Sequence, residues 1–203
     1  MARWRPDQRG AALRVVGGRL GGRRLRPVPG RDTRPTSDRV REALFAVLGG
    51  RVEGARVLDL FAGTGALAIE ALSRGASSAV LVEQAAPAVE VIRANLDALG
   101  LSGRCRVRRT RAETYVRTQR DGPFDLVLLD PPYATPVGLV AGVLGRLART
   151  ALAPGAVVVV EAAARAEAPP WPPGLTPDPP RRYGDTALHV AHLDAGTLEP
   201  TRE

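Results

Sequence analysis

From Gly54 onward the chain alternates short apolar runs with longer stretches whose apolar residues recur every three or four positions, and this alternation restricts the fold more than any other feature. The runs are Val57–Leu60, Ala79–Glu83, Arg104–Arg108, Asp125–Asp130 and Ala156–Glu161. Helical patterns lie between them: Leu67, Ala68, Ala71 and Leu72 before Gly75; Val89, Ile92, Leu96 and Leu99 before Gly100; and Val137, Val140, Leu144 and Leu147. Repeated strand and helix predict an α/β fold with a mostly parallel sheet covered on both faces. A proline-rich connection over 166–182 follows, and a last strand, Thr186–Leu193, is expected to pair antiparallel at the sheet edge.

Upstream of Gly54 the pattern differs. Leu13–Leu25 holds two short apolar pieces split by Gly17-Gly18 and Gly21-Gly22, which reads as a small β-hairpin. Val40, Leu44, Val47 and Leu48 then predict a helix, capped by Thr36 or Ser37 and stopped by Gly49-Gly50. The expected division is a basic arm, hairpin and helix over 1–51 and a second unit over 52–203.

Charge separates the same two parts. The net charge of the 203 residues is +8, and every basic residue is arginine. Residues 1–51 carry 13 arginines against four acids, whereas the remainder is close to neutral. A basic segment of this kind points to an acidic partner, most simply a nucleic acid. The longest charge-free stretch, Pro131–Gly145, is 15 residues and broken by prolines and glycines, so no membrane span is expected. No secretory leader is read in the first residues, and the single cysteine, Cys105, has no partner for an internal disulfide. A cytoplasmic location is the expectation.

Two motifs carry chemistry. In the first, Val57-Leu-Asp59-Leu-Phe-Ala-Gly63-Thr-Gly65-Ala-Leu-Ala68 leaves a strand and opens a helix, where glycines let backbone and ligand approach closely. Glu83, at the end of the next strand, is placed to accept hydrogen bonds from ribose hydroxyls. Glycines and acid alone fit a nicotinamide dinucleotide nearly as well as another adenosine-containing cofactor. Asp59 distinguishes them, because a carboxylate there would repel a pyrophosphate but suits the ammonium and sulfonium of S-adenosylmethionine.

The second motif, Asp130-Pro131-Pro132-Tyr133, ends the fourth strand of the series, so it should line the same crevice as the glycine loop. An exocyclic amino group on a nucleobase is a poor nucleophile, because its lone pair is delocalised into the ring. Two acceptors, the Asp130 carboxylate and the Pro131 carbonyl, hold both N–H bonds and favour a pyramidal nitrogen. Consecutive prolines fix the backbone that aims the carbonyl, and Tyr133 offers a face on which a flipped base stacks.

The segments DLFAGTGALAIEALSRGA, LLDPPY, RVVGGRLGGRRL, RPTSDRVREALF and RYGDTALHV together resemble the bacterial 16S ribosomal RNA (guanine-N2)-methyltransferases of the RsmD type. The resemblance runs from about Leu13 to Leu193. It implies a class I S-adenosylmethionine-dependent methyltransferase fold, Rossmann-like, with a mostly parallel seven-stranded sheet and a small N-terminal hairpin and helix extension. It further implies S-adenosylmethionine as donor and the 2-amino group of a guanine as acceptor, in 16S rRNA of the small ribosomal subunit or its assembly intermediate. A monomer is expected. By motif position, Asp59, Phe61, Ala62, Gly63, Thr64, Gly65, Glu83 and Ala112 would hold the cofactor, and Asp130, Pro131, Pro132 and Tyr133 would form the catalytic site. Related enzymes often carry an acid before the Ala112 position, where this chain has Arg111, so adenine recognition would fall to backbone atoms or Glu113. Another amino methyltransferase, acting on DNA adenine or cytosine or on protein glutamine, is the nearer alternative, and a non-catalytic RNA-binding assembly factor the more distant one.

Arg34, Thr36, Arg39 and Arg41 belong to the N-terminal signature, and with Arg23 and Arg24 they are the expected substrate contacts, closing over the crevice and meeting RNA phosphate. An ion-paired surface that docks the helix is the competing reading for Asp38, Arg41 and Glu42. Arg14–Arg31 is expected to be a flexible phosphate-binding arm. Arg104, Arg106, Arg108, Arg109 and Arg111 read as solvated surface on an edge-like strand. Cys105 reads as a small core residue, and Trp171 either covers an apolar edge or touches RNA. His189 and His192 fall on opposite faces of a strand, and no metal site is expected.

Overall fold

The computed structural model describes residues 13–29 and 37–194. Arg34 and Thr36 lie outside the described residues. Eight strands form one sheet: β1 (Arg56–Leu60), β2 (Ser78–Glu83), β3 (Cys105–Arg109), β4 (Phe124–Leu129), β5 (Leu152–Ala163), β6 (Leu175–Pro177), β7 (Arg181–Tyr183) and β8 (Thr186–Leu193). The order is β3-β2-β1-β4-β5-β8-β6, with β7 also paired to β8. The first five lanes are parallel and β8 is antiparallel to β5. Chain order reverses at β1, so β1 and β4 diverge at a switch point that opens a crevice at their carboxyl ends.

Five helices cover the sheet: α1 (Asp38–Leu48), α2 (Ala66–Ser73), α3 (Ala86–Ala98), α4 (Ala112–Thr118) and α5 (Val137–Thr150). Alternating strand residues feed two cores. Val57, Leu81, Leu126, Leu128, Val157 and Val159 pack under Leu44, Phe45, Ile69 and Ile92 of the first three helices. Leu58, Leu60, Val127, Leu129, Val158 and Val160 meet Tyr115, Val143, Leu144 and Leu147 of the last two. Among the described residues no helix is long and apolar enough to cross a membrane.

Four expectations are corrected. Strand β8 is not an edge: β6 pairs with Leu193–Ala191 and β7 with Leu188–Thr186 on its outer side, inside the stretch read as an irregular connection. Pro177, Pro179 and Pro180 cannot donate to a ladder, so a single lane is broken into two short pieces. Helix α4 was not expected at all. The hairpin is present but is no flexible arm, since Val15 and Leu25 are buried in the same core as α1 and β1. Its rungs are Val15 N–H to the Arg23 carbonyl (2.9 Å) and Leu25 N–H to the Leu13 carbonyl (2.8 Å).

Helix α2 explains the docking. It is buried all round, pressed between sheet and hairpin, and its polar residues face the hairpin backbone. The Glu70 carboxylate, fully buried, accepts from Val16 N–H (2.7 Å), Gly17 N–H (2.8 Å) and Arg74 Nε (2.8 Å). Ser73 Oγ accepts from Leu20 N–H (2.9 Å) and donates to the Gly17 carbonyl (2.5 Å). Gly18 has φ +72°, and a Cβ there would sit 2.1 Å from the Ser73 carbonyl oxygen, so this approach requires glycine.

The fourth correction concerns Arg41. Expected to close over the crevice and meet RNA phosphate, with an ion-paired docking surface as the competing reading, it is 1% exposed and sits on the apolar stripe with Val40, Leu44 and Leu48. Its Nη2 donates to Asp38 Oδ1 (2.6 Å) and to the Arg14 carbonyl (2.6 Å), which ties α1 to the hairpin. Ser37, the nearer of the two expected caps, accepts from Val40 N–H through its side chain (3.3 Å).

Candidate active site

A cavity of about 680 Å³ opens at the carboxyl ends of β1, β2, β4 and β5. Asp59, Phe61, Ala62, Gly63, Thr64, Glu83, Ala112, Asp130, Pro131, Pro132 and Tyr133 all line it, so both motifs share one space. Gly65 does not reach the surface. It caps α2 with φ +80°, and a Cβ there would lie 3.1 Å from Leu81 Cδ2, so its role is to bring loop, helix and sheet together.

The loop between β1 and α2 is held from three sides. Glu83 accepts from Gly63 N–H through Oε2 (3.0 Å) and from Ala85 N–H through Oε1 (2.8 Å). Asp59 Oδ2 accepts from Ala68 N–H (3.1 Å) in the first turn of α2. Asn95 of α3, 2% exposed, donates to the Thr64 carbonyl (3.0 Å) and to the Arg26 carbonyl (3.2 Å), and accepts from Arg26 N–H (2.7 Å). One amide thus joins the glycine loop to the segment leaving the hairpin. Within the loop Phe61 has φ +67°, a left-handed conformation that costs of order 1–3 kcal/mol for a bulky residue.

The electrostatics are unbalanced in one place. Asp59 is 1% exposed and burial pushes its carboxyl up to about 8, reinforced by the charges of Asp130 and Glu83 and opposed by the Ala68 N–H. Its Oδ1 is buried and finds no hydrogen-bond donor among the described residues. An orphaned carboxylate oxygen on a cavity wall fits a cationic group, as an amino-acid ammonium would supply, and it repels phosphate. The residues present therefore fit S-adenosylmethionine.

At the mouth, Tyr133 is 68% exposed beside Asp130, and Pro136 and Leu139 line the same wall. Arg111 Nη1 lies 3.7 Å from Glu113 Oε1, and both residues reach the rim near Ala112. Arg23, Arg24 and Arg39 are exposed and do not line the cavity; Arg41 lines it from within the core.

Sequence reasoning missed Glu161, which lies two residues before the end of β5 and lines the cavity at 9% exposure. The signal was available: an acid terminating the apolar run Val157–Val160, as Glu83 and Asp130 terminate theirs. Asn95 and Glu70 carried no comparable signal, because polar residues within helices read as exposed. Elsewhere, Cys105 is half-buried, and burial pushes its thiol up to about 12. Arg106 and Arg108 pair with Asp121 on the edge strand β3 (2.8 and 3.0 Å). Trp171 packs on the second core, and His192 bonds Asp178 (3.1 Å) while His189 is buried. No cluster of potential metal ligands occurs among the described residues.

Comparison with known proteins agrees with this geometry. A family model described as Conserved hypothetical protein 95 matches residues 13–192. Ribosomal RNA small subunit methyltransferase D of Escherichia coli (strain K12) is 40% identical over 131 residues, 64% of this chain and 65% of that protein. Its counterpart of the same name in Haemophilus influenzae is 34% identical over 130 residues, 63% of this chain and 67% of that protein. The aligned stretch thus spans about two thirds of these curated relatives. The solved structure of yhhF from Escherichia coli superposes with a TM-score of 0.80 at 34% identity, covering 91% of this chain and 99% of that one. An O-methyltransferase family protein from Burkholderia thailandensis, 16% identical, shares the fold alone, with a TM-score of 0.61 over 79% of this chain and 61% of that one. The architecture is that of a class I methyltransferase.

Proposed function

The chain belongs to the Conserved hypothetical protein 95 family, and on that premise we propose that it methylates ribosomal RNA of the small subunit, with S-adenosylmethionine as donor and the exocyclic N2 of a guanine as acceptor. One observation carries the reading: the Asp130-Pro131-Pro132-Tyr133 turn shares a cavity with the half-partnered Asp59, so an amino-group holder and a cation holder sit on neighbouring strands. The donor supplies an electrophilic methyl on a sulfonium. Asp59 binds its ammonium, and Glu83, whose carboxylate already positions the loop, turns its remaining lone pairs to the ribose. Asp130 and the Pro131 carbonyl accept the two N–H bonds of the base and orient the nitrogen lone pair. The Asp130 carboxylate is also the nearest base for the proton released. Tyr133 covers one face of the extruded base and shields the reaction from water.

Exposed Arg23, Arg24 and Arg39, with Arg34 and Thr36, meet the RNA backbone. The rigid docking of the hairpin supports a fixed platform, and the small subunit is met in the cytoplasm. The test pairs labelled-cofactor turnover on unmodified small subunits with nucleoside mass spectrometry. N2-methylguanosine is expected. Asp130→Ala should abolish transfer while leaving cofactor binding by calorimetry within a few-fold; lost cofactor binding would remove Asp130 from the catalytic role.

A further inference from the structure

Three carboxylates stand in a row at the carboxyl ends of adjacent strands. Asp59 of β1 lies opposite Leu128 of β4, and Leu129 of β4 lies opposite Val160 of β5. Asp130 and Glu161, the next residue on each, are therefore neighbours across one strand spacing, about 5 Å. Asp59 and Glu161 alternate with Leu58, Leu60, Val158 and Val160, which feed the second core, so both face the layer that contains α1. Arg41 reaches the same cavity from α1. Its Nη2 is consumed by Asp38 and the Arg14 carbonyl, but Nε and Nη1 are buried and find no acceptor among the described residues. A buried guanidinium with two idle N–H groups is costly for structure alone.

The order across the cavity matches the order of groups along one edge of guanine. That edge presents the N2 amino group, then N1–H, then the O6 acceptor. Asp59 marks the donor end and Asp130 the amino group; next comes Glu161, a carboxylate suited to N1–H, and Arg41 supplies N–H donors suited to a carbonyl oxygen. We propose that Glu161 and Arg41 read the guanine, Glu161 accepting N1–H and the Arg41 Nε–H and Nη1–H donating to O6. The assignment rests on guanine N2 being the acceptor. It explains how a turn that grips any planar amino group rejects adenine, which offers a bare N1 and no carbonyl: with its amino group at Asp130, N1 meets the Glu161 carboxylate acceptor to acceptor, and C2–H leaves the guanidinium without an acceptor.

The experiment uses small subunits reconstituted with guanine or 2,6-diaminopurine at the modified position. Diaminopurine keeps the N2 amino group but replaces O6 by an amino group and N1–H by a bare nitrogen. Wild type should prefer guanine by at least about 100-fold in kcat/KM, since unpaired buried polar groups reject such analogues strongly. Glu161→Gln keeps the shape, and its amide N–H donates to a bare N1. Its guanine kcat/KM should fall roughly 10- to 100-fold, the loss of one hydrogen bond to a charged group, and the preference should narrow at least tenfold. Arg41→Lys, which retains charge beside Asp38 but loses the fork, should narrow the same ratio. An unchanged ratio in both variants, whatever the absolute rates, overturns the proposal. Product mapping of wild type separates the two layers: N2-methylguanosine with unchanged ratios removes only the Glu161 and Arg41 assignment, whereas a wild type that forms none removes the functional reading beneath it.

Discussion

Asp59→Asn tests whether a buried, half-partnered carboxylate is retained to hold a cation. The folded chain keeps the Asp59 proton up to about pH 8. At pH 7 roughly nine-tenths of the molecules hold it, and charging the group to receive an ammonium costs about 1.4 kcal/mol, a factor of ten in affinity. The wild-type to Asp59→Asn ratio of S-adenosylmethionine affinities cancels the ligand's own titration. That ratio should rise about ninefold from pH 6 to pH 7 and flatten above about pH 8, as read by titration calorimetry. The ligand-free protein shows the opposite trend. Because the folded pKa of Asp59 is raised above an unfolded value near 3.9, its stabilising contribution is fully present below about pH 4 and is lost as pH climbs through about 8. Between pH 6 and pH 8 the loss is about 2 kcal/mol, so denaturant midpoints of wild type should fall over that window by an amount that Asp59→Asn does not show. A pH-independent affinity ratio, together with parallel stability profiles, would refute the reasoning.

Glu70→Ala strands the Val16 and Gly17 amides and the Arg74 guanidinium, all bonded to one buried carboxylate; it should cost about 3–5 kcal/mol in urea unfolding, with new proteolysis between Gly17 and Gly22. Native-like resistance at that loop would show that the hairpin docks without Glu70. Arg23→Ala and Arg24→Ala, both exposed on the hairpin, should each lower the slope of log RNA affinity against log salt by about 0.7–0.9 with little change in turnover at saturation. Slopes that stay at the wild-type value take these side chains off the phosphates.

The residues that line the cavity were legible because each obeys a local rule. Glycines must bend the β1–α2 loop, acids end strands where ligands bind, and a proline pair after a carboxylate has few structural uses. Arg41 was misread for a definable reason. It falls on the same helical stripe as Val40, Leu44 and Leu48, but its charge argued for RNA phosphate or an ion-paired surface, and its burial is made tolerable by Asp38 of its own helix together with the Arg14 carbonyl, which the hairpin brings in. Helix α4 has seven residues, fewer than two full turns of periodic signal. Strands β6 and β7 have three residues each, β6 ending on Pro177 and β7 following Pro180, so pairing with β8, rather than their own composition, makes them strands. Hairpin docking depends on Glu70 and Ser73, whose burial arises from tertiary contacts on both sides of α2 and leaves no trace in local spacing.

The position of β8 also has a consequence for how the chain is made. Strand β5 is 12 residues long and carries four consecutive valines, Val157–Val160. Its outer hydrogen-bonding edge is covered only by β8, which is the last strand of the described chain to be synthesised. A growing polypeptide that has already closed the other four parallel lanes still presents an unpaired, valine-rich edge, the kind of surface that recruits foreign strands. Premature termination anywhere between Ala163 and Thr186 would leave the crevice residues encoded in full and the product prone to aggregate, so β8 decides whether a chain with a finished site is also a well-behaved one.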